Sequence, residues 1–292
     1  MGDRLKHWVY NTVKTTQSNY NSKSSFKLQS EAFFKPRTRA HQQSTLLHSK
    51  YINRTNCPKN HVKYLNDKFS MDFQSITWFT YRDHLEMNLQ GSSLKSDSGW
   101  GCMLRTGQMI LFQALKRHLF GESFKLEMLS DSEISVRYLN LLRLFMDNCP
   151  PGPLLSVCPF GIHSIAAEGR QQNIQPGQWY GPQMISIVFR NICDKFQPVP
   201  NFKIHVCLDG VIIFEEIAQL ITQGNSVMVL IPVRLGLDSI QPEYLSQVKD
   251  LFEITENVGI AGGQDYKALY LVGLEDLANP KGGMIYLDPH FI

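Results

Sequence analysis

The sequence predicts an α+β fold in which the helices precede the strands. Two observations support this class. Apolar side chains recur at helical spacing through much of residues 103–192, whereas β-rich apolar runs dominate after Pro200. The chain has 292 residues and is 43% hydrophobic, which is enough apolar material for a sizeable core.

Four helices are predicted before Pro200 from apolar periodicity and from residues that start or stop a helix. Gly121 ends the first helix, and the proline-rich stretch 150–153 ends the second. Pro182 opens the fourth, because proline suits the first turn of a helix. The predicted helices cover residues 103–119, 133–146, 162–168 and 182–192.

The strands are predicted from runs of β-branched and aromatic residues, some alternating with polar residues and some continuously apolar. The run 227–233 is continuous, which is typical of a buried strand. The predicted strands cover residues 202–208, 211–214, 227–233, 269–273 and 284–287, and one helix at 242–252 lies among them.

The N-terminal segment differs in composition from the rest of the chain. Residues 1–60 hold 11 Lys and Arg against 2 Asp and Glu, while the remainder holds 18 against 24. The segment is polar and lacks a sustained apolar period, so it cannot bury enough surface to offset its chain entropy. We expect a basic, disordered tail at residues 1–62 and a folded domain at 63–292. The acidic remainder lacks a basic and aromatic recognition pattern, so no nucleic-acid partner is expected.

Several classes of protein and site are excluded. No apolar run approaches the roughly 18 residues of a membrane span, and no signal peptide is evident, so we expect a soluble, cytoplasmic protein. Six cysteines are too few for a disulfide scaffold, and their thiols are expected to stay reduced. Neither Cys-x-x-Cys nor His-Glu-x-x-His occurs, so we expect no metal and no cofactor.

Cys102 follows Gly99 and Gly101 and opens the first predicted helix. The unpaired N–H groups and the positive dipole end of a helix stabilise a thiolate, which is the nucleophilic form of cysteine. The two glycines allow a tight turn that would leave the sulfur reachable. The alternative is a buried core cysteine, and the local sequence leaves both interpretations open.

Asp288 and His290 follow the last predicted strand. Side chains two positions apart in an extended segment share a face, and Pro289 favours that conformation for Asp288. A carboxylate beside a histidine fixes its tautomer, as a base that serves a thiol requires. Alone, such a pair is more often surface decoration. Its weight comes from Cys102, since a cysteine hydrolase needs a nucleophile, a base and an orienting group together.

Three further features are candidates for substrate contact. The aromatic segment 78–82 contains Tyr81, whose hydroxyl could donate to an oxyanion, although an aromatic cluster is usually core and physics alone does not select this tyrosine. Trp179 could present an exposed aromatic surface, and the glycine-rich stretch 258–263 could be a hinged flap. The alternatives are an ordinary helix entry and an ordinary loop before a strand.

Residues 99–109 read Gly-Trp-Gly-Cys-Met-Leu-Arg-Thr-Gly-Gln-Met and resemble the nucleophile segment of the autophagins, the papain-like cysteine peptidases of autophagy. Five other segments resemble that family in the same order, so the resemblance covers about residue 70 to the end. They are residues 78–82, 177–182, 231–236, 259–263 and 286–290. The basic N-terminal segment resembles the subgroup with extended N-termini.

The resemblance implies a papain-like fold with an antiparallel sheet after the helices. It also implies a peptidase that cuts after the C-terminal glycine of an autophagy ubiquitin-like modifier. Its partners would be the free precursor and the phosphatidylethanolamine conjugate, with membrane contact only through the lipidated substrate, and the chain would be a monomer.

Carried onto this sequence, the resemblance implies a role for each candidate residue. Cys102 would be the nucleophile, His290 the base, Asp288 its orienting acid and Tyr81 the oxyanion donor. The residues that clasp the glycine tail of the substrate would be Trp179, Gly259, Ile260, Ala261, Gly262 and Gly263.

One departure from the family pattern matters. The chain stops two residues after His290, whereas members of the family continue for several tens of residues, so the resemblance implies a domain incomplete at its C-terminus and a base on a fraying end. The alternative function is a catalytically weak, modifier-binding protein. A transglutaminase-like enzyme is disfavoured by the order and spacing of Asp288 and His290.

Overall fold

The computed structural model describes residues 42–47, 49–53, 59–148, 153–236, 240–264, 267–275 and 283–292. The chain divides into two compact units, one of residues 1–42 and 52–70 and the other of residues 43–51 and 71–292. Residues 1–41, which are most of the expected disordered tail, lie outside the described residues. All candidate site residues belong to the second unit.

In the described part of the chain from residue 102 onward, most helices lie before Pro200 and the strands follow it, as the sequence predicts. The elements before residue 75, the helix that begins at Phe214 and the strand at Ile260–Gln264 are not among those predicted. The α-helices are α1 (Lys59–Gln74), α2 (Cys102–Phe120), α3 (Ser132–Arg143), α4 (Ile162–Gln171), α5 (Pro182–Phe196), α6 (Phe214–Thr222) and α7 (Leu245–Glu253). The strands are β1 (Gln42–Leu46), β2 (Ser49–Asn53), β3 (Phe202–Val206), β4 (Ser226–Leu230), β5 (Ile260–Gln264), β6 (Lys267–Glu275) and β7 (Gly283–Leu287). Short 3-10 helices lie at Leu126–Ser130, Pro153–Ser156 and Pro242–Tyr244.

The larger sheet is antiparallel and is organised around β6. This strand pairs antiparallel with β1, β5 and β7, and β2 lies next to β1 in the sheet. Alternate side chains of β7 are buried, with Ile285 and Leu287 on the core side. The sheet therefore places the residues that follow Leu287 at the edge of the core.

The core is built around α2, which is buried along most of its length. The strands β5 and β6 and the helices α3 and α5 pack against it. At Gly107 a Cβ would come within 2.7 Å of the Phe189 ring, so the close approach of α2 and α5 requires glycine there. Such tight packing gives the start of α2 a rigid frame.

The smaller sheet contains β3 and β4, which pair in parallel. The helix α6 lies between them in the chain, and a parallel pair needs a crossover connection of this kind. The expectation of a strand at residues 211–214 is wrong, since residues 211–213 form a loop and Phe214 begins α6. Glu215 and Glu216 in the first turn stabilise a helix N-terminus, and this outweighs the β-rich composition of the run.

The segment expected to be a tail contains ordered elements. Its described residues include β1, β2 and the start of α1, so the expected domain boundary between residues 62 and 63 falls inside a helix. Ser44 in β1 lies opposite Glu275, and the Leu47 N–H donates to the Val272 carbonyl at 2.9 Å. Because the partner strand lies more than 200 residues later in the chain, the local sequence carries no signal for this pairing.

The described residues contain features that bear on membrane spans, metal sites and cysteine oxidation. No described helix combines the length and the apolar character needed to cross a membrane. Within the same residues, no group of three or more His, Cys, Asp or Glu could hold a metal ion. Cys158 is disulfide-bonded, so the expectation that every cysteine is reduced is wrong for this residue.

Candidate active site

Cys102 is the first residue of α2 and follows a turn that only glycine can form at two positions. Gly99 has a φ of +83°, and the Gly101 N–H donates to the Asp97 carbonyl at 2.8 Å. A Cβ on Gly101 would lie 2.6 Å from Asp97 Oδ2. The glycines therefore fix the direction in which the chain enters α2.

The side chain of Cys102 is a free cysteine with no exposed surface. The expectation that the turn leaves its sulfur reachable is wrong for this conformation, because α2 begins inside the core. Trp100 is also buried, and its indole N–H donates to the Ser96 carbonyl at 3.0 Å. The sulfur can therefore be reached from solvent only if neighbouring residues move.

Asp288 and His290 are in direct contact just after β7. His290 Nδ1 lies 2.5 Å from Asp288 Oδ1, and the same oxygen accepts the His290 backbone N–H at 2.9 Å. A carboxylate that accepts from Nδ1 places the ring proton there and leaves Nε2 to exchange protons. Both side chains are partly exposed, at 28% for His290 and 25% for Asp288.

Tyr81 lies between the histidine and the cysteine. Its ring packs edge-on against the His290 ring, with the centroids 5.5 Å apart. Burial, and after it the nearby Cys102 side chain, raise the pKa of the Tyr81 hydroxyl well above its usual value, while the Gly99 N–H acts in the opposite direction. The hydroxyl is buried and makes no regular hydrogen bond to any described residue. The hydroxyl is therefore protonated at neutral pH and lies next to the Cys102 side chain.

The segment that carries His290 is held against residues 78–82. The Tyr81 N–H donates to the Pro289 carbonyl at 3.1 Å, and the Trp78 indole N–H donates to the Asp288 carbonyl at 2.7 Å. The Trp78 ring also packs edge-on against Phe291. These contacts oppose the fraying that the sequence led us to expect.

Trp179 and the glycine-rich stretch have different surroundings. Trp179 is half-buried just before α5, and its indole nitrogen is inaccessible to solvent. Residues 260–264 form β5 and pair with β6, so this stretch is an ordered strand in the structure and not a loose flap. The hypothesis that these residues clasp a substrate tail stays a prediction.

Close packing explains why glycine occupies two of the three glycine positions in this stretch. Gly259 has a φ of +103°, and a Cβ there would lie 2.5 Å from the Tyr270 ring. A Cβ on Gly263 would lie 1.9 Å from the Lys267 carbonyl oxygen. At Gly262, by contrast, the nearest neighbour of a Cβ is the Ile260 side chain at 4.0 Å. Of these three glycines, only Gly262 has open space beside it.

A buried ion network next to the site was missed by the sequence analysis. Arg105 Nε lies 2.6 Å from Asp97 Oδ2, and Arg105 Nη1 lies 2.7 Å from Asp147 Oδ2. Burial lowers the pKa of Arg105, but Asp147 and Asp97 outweigh it and hold the pKa above its usual value. The spacing of Asp97 and Arg105 around the start of a helix was a usable signal, whereas Asp147 is distant in sequence.

Comparison with known proteins bears on the same residues. Residues 66–292, most of the chain, match the family described as the Peptidase C54 catalytic domain. The chain belongs to the Peptidase C54 family. This membership confirms the resemblance to the autophagins and the papain-like α+β fold.

Several proteins similar to this chain are named cysteine proteases. One is ATG4D of Xenopus laevis, 28% identical over 274 residues that cover 77% of this chain and 56% of the relative. Another is ATG4B of Xenopus laevis, 30% identical over 244 residues that cover 75% of this chain and 59% of the relative. A third is ATG4A of Oryza sativa subsp. indica, 28% identical over 255 residues that cover 77% of this chain and 50% of the relative. The chain thus spans between half and two thirds of the length of these relatives.

Proposed function

We propose that this chain is a cysteine peptidase that cuts after the C-terminal glycine of an autophagy ubiquitin-like modifier. The observation that carries the proposal is a chain of contacts from Asp288 to Cys102. Asp288 contacts His290, and the His290 ring packs against Tyr81. The Tyr81 hydroxyl in turn lies near Cys102 at the start of α2. A thiol, a phenol, an imidazole and a carboxylate thus occupy successive neighbouring positions, which supports a cysteine-peptidase mechanism. Membership of the Peptidase C54 family and the names of the relatives support a cysteine peptidase.

The reaction follows from the position of each group. The Cys102 sulfur attacks the carbonyl carbon of the scissile amide while His290 accepts the thiol proton. The Tyr81 O–H donates to the carbonyl oxygen as that oxygen becomes negatively charged. The carbon–nitrogen bond then breaks, His290 returns the proton to the leaving nitrogen, and a thioester to the modifier glycine remains.

Hydrolysis of the thioester completes the cycle. A water molecule attacks the same carbonyl carbon, with His290 again as the base, the carbon–sulfur bond breaks, and the modifier leaves as a carboxylic acid that loses its proton to solvent. The proton taken from water returns to the Cys102 sulfur. Asp288 keeps its contact with Nδ1 throughout, so Nε2 is the atom that carries the proton in each step.

The same chemistry applies to two substrates. In the precursor the leaving group is the amine of a peptide extension, and in the lipidated form it is the amine of phosphatidylethanolamine. Both are amides of the modifier glycine, so no additional catalytic group is needed. We further propose a monomer that works in the cytoplasm and touches membranes only through the lipidated substrate, with Trp179 and residues 259–263 contacting the glycine tail.

The test is cleavage of a purified modifier that carries a short C-terminal extension. Wild-type chain should release the extension after the glycine, and Cys102→Ala should abolish release while leaving binding of the modifier measurable. The matched control is Cys193→Ala. Burial raises the pKa of the Cys193 thiol to about 12, so this second buried, free cysteine is protonated at neutral pH and its loss should leave cleavage intact.

Two outcomes would contradict the proposal. Cleavage that survives Cys102→Ala would remove the cysteine from the mechanism. A wild-type chain that binds the modifier tightly and never cleaves it would favour the alternative, a modifier-binding protein with little catalytic power.

A further inference from the structure

Arg105 is completely buried one turn into α2, on the same helix as Cys102. We propose that Arg105 is a positioning residue that fixes Cys102 and Tyr81 relative to each other. The proposal rests on the catalytic roles given to those two residues above. Arg105 performs this role through its ion pairs with Asp97 and Asp147.

The ion pair between Arg105 and Asp97 stabilises the turn before Cys102. Arg105 Nε donates to Asp97 Oδ2 at 2.6 Å. The backbone carbonyl of Asp97 accepts the N–H of Gly101 at 2.8 Å and that of Trp100 at 3.2 Å. Because the Arg105 N–H also donates to the Gly101 carbonyl at 3.0 Å, the turn is held to α2 by both backbone and side chain.

The same carboxylate holds the segment that carries Tyr81. Asp97 Oδ1 accepts the backbone N–H of Arg82 at 2.6 Å, and the Asp97 N–H donates to the Arg82 carbonyl at 3.3 Å. Arg82 is the residue directly after Tyr81. A single buried carboxylate therefore links the backbone next to the oxyanion donor with the turn next to the nucleophile, and Arg105 is its charged partner.

The ion pair between Arg105 and Asp147 connects Arg105 and Asp97 to α4. Arg105 Nη1 donates to Asp147 Oδ2 at 2.7 Å, and Asp147 Oδ1 accepts the backbone N–H of Ile162, the first residue of α4, at 3.0 Å. Arg82 Nε lies 3.5 Å from the same Asp147 oxygen. The guanidinium thus spans two carboxylates that belong to separate segments of the chain.

The geometry requires the fork of an arginine. A lysine ammonium is a single point charge and cannot donate to Asp97 and Asp147 from two separate nitrogens as the guanidinium does. Since neither Arg105 nor Asp97 has exposed surface, water cannot replace the lost contact without entering the core. Arg105→Lys keeps the charge and should weaken the ion pair with either Asp97 or Asp147.

The test compares Arg105→Lys with Arg117→Lys. Arg117 lies on the same helix in a partly exposed pair with Glu122, with nitrogen and oxygen 3.2 Å apart, so it controls for the loss of an arginine from α2. A displacement of about 1 Å costs on the order of a hundredfold in rate, so Arg105→Lys should lower kcat by about tenfold to a hundredfold. KM for the extended modifier should stay within about twofold, because ground-state binding is not altered. Arg117→Lys should change neither constant.

A second variant protects the test against misfolding. Asp97→Asn keeps the size of the side chain and an oxygen for the Arg82 N–H, but it removes the charge that Arg105 holds. It should lower kcat as Arg105→Lys does, and the double variant should lose little more than the worse single variant. Unchanged kcat in Arg105→Lys, a loss confined to KM, or failure of both variants to fold would overturn the proposal.

Hydrogen exchange separates this proposal from the proposed function. Without substrate, Arg105→Lys should speed amide exchange in peptides that cover residues 80–82 and 97–105, while peptides from α5 exchange as in wild type. Faster exchange in a chain whose wild type never cleaves the modifier would refute the peptidase function and leave the positioning contacts standing. Unchanged exchange alongside an active wild type would refute the positioning role alone.

Discussion

The indole N–H of Trp78 donates to the main-chain carbonyl of Asp288 across 2.7 Å, joining residues that are 210 positions apart. Trp78 also packs against Phe291, at a ring separation of 5.8 Å. The two contacts lie on either side of His290 in the chain. They hold the histidine against the core from a segment near the start of the catalytic domain.

Removing the indole N–H should loosen this segment. Trp78→Phe keeps an aromatic ring but deletes the donor, and the net loss of one such bond is about 1 kcal/mol of stability. We expect a lower melting temperature and a lower kcat in the modifier-cleavage assay, since His290 would sample positions away from the sulfur. A variant with wild-type kcat would show that the other contacts of residues 288–291 suffice.

Asp288 and His290 should behave as one catalytic unit. His290→Ala should lower kcat by about a hundredfold to ten-thousandfold, the range for loss of a general base, and Asp288→Ala should remove most of the rate as well. The double variant should cost little more than His290→Ala alone. Additive losses in the logarithm of the rate would show that the two residues act separately.

A second histidine–carboxylate pair provides the control for that cycle. His205 Nε2 lies 3.6 Å from Glu216 Oε2, at the surface of the smaller sheet and α6. The same alanine substitutions there should leave turnover close to wild type.

Loss of the Tyr81 hydroxyl should reduce the rate without reducing stability. Tyr81→Phe removes a buried oxygen that makes no regular hydrogen bond to the described residues, so the melting temperature should stay level or rise. Loss of one oxyanion donor costs on the order of a hundredfold to a thousandfold in kcat. Because the pKa of Tyr81 is raised, its ionisation should produce no loss of rate below about pH 10.

Tyr180→Phe is the matched control for this substitution. The Tyr180 hydroxyl is likewise buried without a hydrogen-bond partner in the described part of the chain, and it packs against Gly169. The variant should lose no turnover. Equal losses in the two variants would mean that the Tyr81 effect comes from packing.

The substrate-tail hypothesis can be tested at the one glycine of residues 259–263 with room for a side chain. Gly262→Ala should fold as well as wild type, because the nearest atom to the new Cβ is 4.0 Å away. If β5 clasps the tail, this variant and Trp179→Ala should change the selection between substrates ending in glycine and in alanine. Unchanged kinetics on both tails would remove these residues from the substrate site.

Gly259→Ala serves as the contrast. Its Cβ would meet the Tyr270 ring at 2.5 Å, and its φ of +103° is strained for any residue with a side chain. We therefore expect Gly259→Ala to lower the free energy of unfolding by more than about 1 kcal/mol, and with it the melting temperature. This loss should occur whether or not the residue touches substrate.

Lys116 should make stability depend on pH. Burial, and after it the nearby Lys125, lower the pKa of Lys116 from 10.5 to about 7, although its Nζ donates to the Ser75 carbonyl at 2.8 Å. The unfolded chain therefore binds more protons than the folded chain between about pH 7 and 10.5. The penalty for burying the charge is complete below pH 7 and disappears as the pH rises through that window.

Urea unfolding at pH 6 and pH 9 tests this sign. Lys116→Met should raise the free energy of unfolding by roughly 1–3 kcal/mol at pH 6 and by less at pH 9. Lys203→Met, which removes a partly exposed lysine 3.3 Å from Asp194, should show no such difference between the two pH values. An equal effect of Lys116→Met at both pH values would contradict the prediction.

The sequence by itself determined the elements that rest on local periodicity and on residues that start or stop a helix. The first predicted helix at 103–119 is α2 at Cys102–Phe120, and Pro182 opens α5 as expected. The pairing of Asp288 with His290 also has a local basis, since the two residues are two positions apart and the Asp288 carboxylate accepts the His290 backbone N–H. These features depend on neighbours within a few positions, and short-range rules describe such neighbours.

Tertiary structure alone decided what depends on distant residues. The complete burial of Cys102 follows from the packing of β5 and β6 against α2, and the pairing of β1 with β6 joins strands from opposite ends of the chain. The hold of Arg105 on Asp147 joins positions 42 residues apart. Burial and ion pairing of this kind depend on which distant segments pack together in the folded chain. Local sequence patterns describe only neighbouring residues, so they do not predict these contacts.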